Sequence, residues 1–201
     1  MRFLFLMSEG KSMAHTNHNP RQRGFTLVEI AIVLVIVGLV LGGVLKGQEM
    51  IRGAKVKNVN NDAQNIISAV TTYKDRYGAM PGDDSISTIA VAAGVAGNGN
   101  GRLQDGENGA FWAHLRQAGL MKGTGSLPPS HSFGGLVEVD ENPHANAQGN
   151  FICFTDMPGD VADIVDRQFD DGIANQGAIQ SSDDPTYVID GTTNYDLCYR
   201  L

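Results

Sequence analysis

Glu29 is the side chain most at odds with its surroundings. Residues 25–45 read FTLVEIAIVLVIVGLVLGGVL, and Glu29 is the one ionisable group in that run. A carboxylate within an apolar span costs roughly 2.5–3.5 kcal/mol at the bilayer centre and less near the interface, so it marks a functional site that calls for a cation at its own depth. The run contains no cation. Cutting the chain between Gly24 and Phe25 would make one, the α-amino group of Phe25. That amine would lie one helical turn from Glu29 in the same chain, or would be brought by a neighbouring copy. The plainer alternative is a glutamate snorkelling at a helix end.

Other chemistry is sparse. Cys153 and Cys198 fit no zinc spacing, and His15, His18, His114, His131 and His144 are scattered. In an exported domain the two cysteines form one disulfide; in a cytosolic protein they are two buried thiols. Acidic turns offer oxygen ligands to a hard cation such as calcium. One such group is Asp170, Asp171, Asp183 and Asp184; another is the loop 98–107, where Arg102 stands in place of a wanted carboxylate. Solvated turns account for the same residues. There is no G-x-S-x-G elbow, no phosphate loop and no H-E-x-x-H, and 97–101 completes no dinucleotide fingerprint, so no enzyme is expected. Net charge is −7, and the excess acid lies in residues 83–201, which makes a nucleic-acid partner unexpected.

These residues must be positioned by few elements. As a helix, residues 25–45 span about 30 Å, the thickness of a bilayer's hydrocarbon core. A secretory signal peptide is the rival reading, but its apolar region is shorter and followed by a small-residue cleavage site. Basic residues flank both sides, so the positive-inside rule assigns no orientation. Beyond Lys46, the positions Ile51, Ala54, Val56, Val59, Ala63, Ile66, Ile67, Val70, Tyr73 and Tyr77 form one stripe of an amphipathic helix that Gly78 and Pro81 end. Gly38, Gly42, Gly43 and Gly47 allow close helix contacts or local melting. Residues 85–110 read as a long loop and 111–120 as a short helix. Strands are predicted at 133–139, 150–155, 177–180 and 195–199, with 186–189 as a fifth. Asp160 is placed as the cap of a helix carrying Val161, Ile164, Val165 and Phe169. The fold class is α+β: a long N-terminal helix spine packed on a small antiparallel sheet.

The stretch RQRGFTLVEI, residues 21–30, resembles the class III signal of type IV prepilins and type II secretion pseudopilins: a basic leader, Gly24, Phe25, and Glu29 as the fifth residue after the cut. Residues 79–84 and 111–120 resemble a group of pilin-like proteins, and 151–172 does so more loosely. The resemblance implies a cleaved leader (1–24), a transmembrane and filament-core helix (25–45), an amphipathic spine (46–78) and a periplasmic head (79–201). It implies cleavage after Gly24 by prepilin peptidase and N-methylation of Phe25. The chain then sits in the bacterial inner membrane, meets an assembly platform there, and joins other pilin or pseudopilin subunits in a filament. A periplasmic head implies a disulfide between Cys153 and Cys198, and some pseudopilins use calcium in a C-terminal loop. Met13 begins a tidier leader than Met1, so translation is expected to start there, or residues 1–12 to have no function. The alternative function is a membrane-anchored, adhesin-like binding module that never polymerises; Glu29 separates the two, since only assembly needs it.

Overall fold

The computed structural model describes residues 24–94, 96–104 and 107–201. The expected leader and the Met13 start lie outside the described residues, Gly24 excepted.

The chain divides into two compact units, Met1–Lys46 and Gly47–Leu201. The helix α1, Leu27–Tyr77, contributes to both. Within the first unit every described residue is exposed, including Leu27 at 92% and Leu39 at 77%. A helix apolar on all sides with nothing covering it is long and apolar enough to cross a membrane.

In the second unit α1 buries Val56, Val59, Ala63, Ile66, Val70 and Tyr73 of the expected stripe and adds Ala69, while Ala54 is exposed and Ile67 and Tyr77 are half-buried. Ile51 stays outside it, 62% exposed. The helix stops where Gly78 turns left-handed (φ 69°) and donates its N–H to Lys74.

Covering the stripe are α2 (Thr88–Ala93), α3 (Glu107–Gln117), β1 (Val137–Glu141), β2 (Asn150–Pro158), α4 (Gly159–Phe169), β3 (Ile179–Gln180) and β4 (Asn194–Arg200). The strands form one antiparallel sheet in the order β1-β2-β4-β3. Val137, Val139, Ile152, Phe154, Leu197 and Tyr199 face the core, together with Phe111, Trp112 and Leu115 of α3 and Val161 and Val165 of α4. The fold is thus α+β, a helix spine packed on a small antiparallel sheet, as the patterning predicts.

Several local expectations are corrected. The stretch read as a loop contains α2, capped by Ser87, whose Oγ accepts the Ala90 N–H at 3.1 Å, and closed by Gly94 (φ 73°). Six residues are too few for periodicity to reveal. α3 starts four residues before Phe111 because Glu107 folds its carboxylate back onto the Gln104 N–H at 2.9 Å. β1 starts at Val137, since a turn at Gly134 (φ 105°) occupies the preceding residues. Residues 186–189 form no strand. Asp160 caps nothing: Pro158 holds the cap position of α4, and Asp160 pairs instead with Arg52 of α1.

Candidate assembly and processing site

The site sits where α1 begins. Gly24 and Phe25 precede the helix, both exposed, Phe25 at 84%. A Cβ added at Gly24 would meet nothing within 4 Å. Thr26 and Glu29 then close a reciprocal pair. The Glu29 Oε2 accepts the Thr26 N–H at 2.9 Å and the Thr26 hydroxyl at 2.9 Å, and the Thr26 Oγ1 accepts the Glu29 N–H at 3.2 Å. This is a capping box: the threonine satisfies a donor of the first turn and the glutamate reaches back to satisfy the cap residue. A carboxylate in the first turn also lies at the positive end of the helix dipole.

The box changes how Glu29 is read. Among the described residues its hydrogen-bond partner is Thr26, next but one to Gly24. Thr26 was missed by reading the span for ionisable groups, although the T-x-x-E pattern carries its signature.

Cys153 and Cys198 are bonded to each other, as expected of an exported head. They face one another across the β2–β4 ladder, Cα to Cα 3.9 Å. With Ala147 and Phe151 they make a small apolar cluster apart from the main core.

The acidic residues do not gather as the sequence grouped them. Asp170 and Asp171 join Asp166, with one oxygen of each within 4.8 Å of the others, at the C-terminal end of α4. Asp183 instead accepts the Ala145 N–H at 2.6 Å. Asp170 Oδ2 takes the N–H groups of Ala178 (2.6 Å) and Ile179 (2.7 Å), while Asp166 takes those of Gly172 (3.1 Å) and the Tyr187 hydroxyl (2.6 Å). These carboxylates pin the segment after α4 by accepting hydrogen bonds. Burial pushes Asp166 above the usual carboxylate range; the bonds from Tyr187 and Gly172 oppose this, and the charges of Asp171 and Asp170 add to it.

In the other suspected cation loop, backbone N–H groups converge on an anion. Asp83, only 3% exposed, accepts Gly99 N–H (2.6 Å) and Asn100 N–H (3.0 Å) on Oδ1 and Gly101 N–H (2.5 Å) on Oδ2. Beside it, burial pushes Asp84 upward, but bonds from Ser87, Tyr73 and the Ile86 N–H outweigh burial and hold it below its ordinary value.

The family model described as the prokaryotic N-terminal methylation motif matches residues 19–45. The chain is 30% identical over 110 residues to the fimbrial protein EcpC of Eikenella corrodens, covering 51% of this chain and 68% of that protein. It is 27% identical over 169 residues to a fimbrial protein of Neisseria meningitidis serogroup B, covering 74% of this chain and 98% of that one. Over 105 residues it is 30% identical to the type IV major pilin protein PilE of Neisseria gonorrhoeae, covering 52% and 62%. No solved structure matches it significantly.

Proposed function

The chain belongs to the type IV pilin family, and we propose from this that it is a pilus subunit, cut after Gly24 by prepilin peptidase, methylated on Phe25, and drawn from the inner membrane into a pilus. The fimbrial names of its relatives favour a pilus over a secretion filament. Membership of a family of structural subunits makes it a structural protein rather than an enzyme. In this reading the head lies in the periplasm, an assembly platform in the inner membrane receives the anchored subunit, and other pilin subunits are its filament partners.

The observation that carries the reading is Glu29, a carboxylate at the head of a helix whose apolar residues from Leu27 to Leu45 are all uncovered. In the uncut chain the capping box with Thr26 holds the charge. In a filament the apolar helices bury one another, and the Phe25 ammonium of a neighbouring subunit supplies the missing cation. Removing one partner of a buried pair leaves the other unpaired, at about 3–5 kcal/mol. Cleavage precedes assembly and needs no such pair. Glu29→Ala is therefore expected to be processed and held in the membrane yet to be scarce in sheared pili, whereas a bulky residue at Gly24 blocks processing. Wild-type amounts of Glu29→Ala in sheared pili, at equal membrane level, would reject both the pairing and polymerisation through it, leaving the tethered module.

A further inference from the structure

Three Asn-Gly peptide bonds occur in the chain: Asn98-Gly99, Asn100-Gly101 and Asn108-Gly109. Asn-Gly is the dipeptide most prone to deamidation. Glycine has no Cβ to hinder the step in which its nitrogen attacks the asparagine side-chain carbonyl carbon. A bond forms between that nitrogen and Cγ, the Cγ–Nδ2 bond breaks, and ammonia leaves carrying the proton of the peptide nitrogen. Water then opens the cyclic imide to aspartate or isoaspartate.

Two of these bonds lie in the loop wrapped around Asp83. Asn98, Gly99, Asn100 and Gly101 are all exposed to water. Both asparagines curl their side chains over the following peptide: Asn98 Oδ1 accepts the Asn100 N–H at 3.0 Å and Asn100 Oδ1 accepts the Arg102 N–H at 2.8 Å. The electrophiles are thus open and local. The two nitrogens that would attack, those of Gly99 and Gly101, are the ones that donate to the Asp83 carboxylate at 2.6 and 2.5 Å. Gly99 N–H also reaches the Asp83 carbonyl oxygen at 2.9 Å. Asp83 is fixed in turn, because Gly97 packs so close to its backbone that an added Cβ would collide with it.

We propose that residues 98–101 are a deamidation site held shut by Asp83. To attack, each glycine nitrogen must lose its proton beside an anion, and the imide that results has no N–H to donate. Imide formation would therefore strip a donor from a buried carboxylate, which is the expensive way to lose a hydrogen bond. Opening to aspartate or isoaspartate adds a negative charge near Asp83 and Asp84, and the isoaspartyl route also adds a backbone carbon. Once the loop lets go, it does not return: Asp83 makes a reversible opening chemically recordable. Asn108-Gly109 supplies an internal reference, since it lies inside α3 with Asn108 Oδ1 accepting the Trp112 Nε1–H at 2.9 Å, and Gly109 is not among the donors to the Asp83 carboxylate.

The test uses the full chain in detergent micelles at mildly alkaline pH, with amide-to-acid conversion and isoaspartate at each of the three sites read by peptide-mapping mass spectrometry. Each blocked nitrogen must break a hydrogen bond to a charged acceptor, so native conversion at Asn98 and Asn100 is expected to be about ten- to hundredfold slower than in the urea-denatured chain. In Asp83→Asn and Asp83→Ala the same two sites accelerate by a similar factor while Asn108 keeps its wild-type rate. Native wild-type conversion at the denatured rate overturns the proposal. So does unchanged or slower conversion in the variants, which would make Asp83 irrelevant or a base for the reaction. Acceleration shared equally by Asn108 overturns it as well, since the effect would then belong to the whole fold.

Discussion

Asp166 shows how a single side chain ties stability to pH. It is fully buried, and burial with the nearby charges of Asp171 and Asp170 raises its pKa above the ordinary carboxylate value. A carboxyl raised in the folded state contributes stability that is complete below the unfolded pKa, near 4, and is lost as pH climbs through the folded value. Deprotonation therefore works against the segment after α4 that Asp166 and Asp170 hold. Asp166→Asn keeps an acceptor for the Gly172 N–H and removes the charge. The wild-type chain is expected to lose melting temperature from mildly acidic to neutral pH relative to Asp166→Asn, and parallel melting curves across that range would refute this. Asp166 was invisible in the sequence as a special residue, because its neighbours Asp170 and Asp171 looked like the more obvious pair and burial cannot be read from one aspartate on a short helix. Glu29 was legible because an apolar run isolates it. Asp83 was not, because its partners are backbone donors as far as 18 positions away, which no side-chain pattern encodes.

At the scale of elements, legibility followed repeat length. The stripe on α1 repeats at three- and four-residue intervals over several turns, and its buried members from Val56 to Tyr73 match the expected ones closely. Short elements shifted with their punctuation: Gly134 delayed β1, Ser87 and Gly94 created α2, and the tertiary pull of Arg52 took Asp160 away from its helix end. Tyr73 is where α1 meets the turn that follows it. Its hydroxyl donates to Asp84 Oδ2 at 2.7 Å, while Asp84 Oδ1 takes the N–H groups of Ile86 (3.1 Å) and Ser87 (2.9 Å). Burial, first of all, drives the Tyr73 phenol well above its ordinary range, so it stays a donor at any physiological pH. Tyr73→Phe removes a hydrogen bond to a buried charge without changing the helix stripe, and is expected to destabilise the head by about 1.5–3 kcal/mol. A urea midpoint unchanged at constant slope would show that Asp84 finds full compensation from its other donors.

The molecule as a whole separates two kinds of stability. Residues 24–46 bury nothing in the single chain and depend on surroundings of lipid or neighbouring helices. Gly47–Leu201 carries its own core and its own crosslink. The disulfide joins β2 to β4 on the face of the sheet opposite the α1 stripe, at a sequence separation of 45. Constraining a loop of that length in the unfolded chain is worth about 4 kcal/mol, a large share of a stability of about 5–15 kcal/mol. β4 is also the last strand, held on one side by β2 and on the other only by the two-residue β3, so once the crosslink is gone its hold rests on the β2 ladder and core packing. Cys153→Ala with Cys198→Ala suits the apolar pocket beside Phe151 and Ala147 better than serine, which would bury unpaired hydroxyls. The double variant, and wild type under reductant, are expected to unfold at clearly lower urea with a loss of about 2–5 kcal/mol. Membrane retention should stay at wild-type level, because the anchor shares none of these contacts. An unchanged midpoint in both would mean that the β2–β4 register and the core side chains Leu197 and Tyr199 hold the C-terminus without the bond.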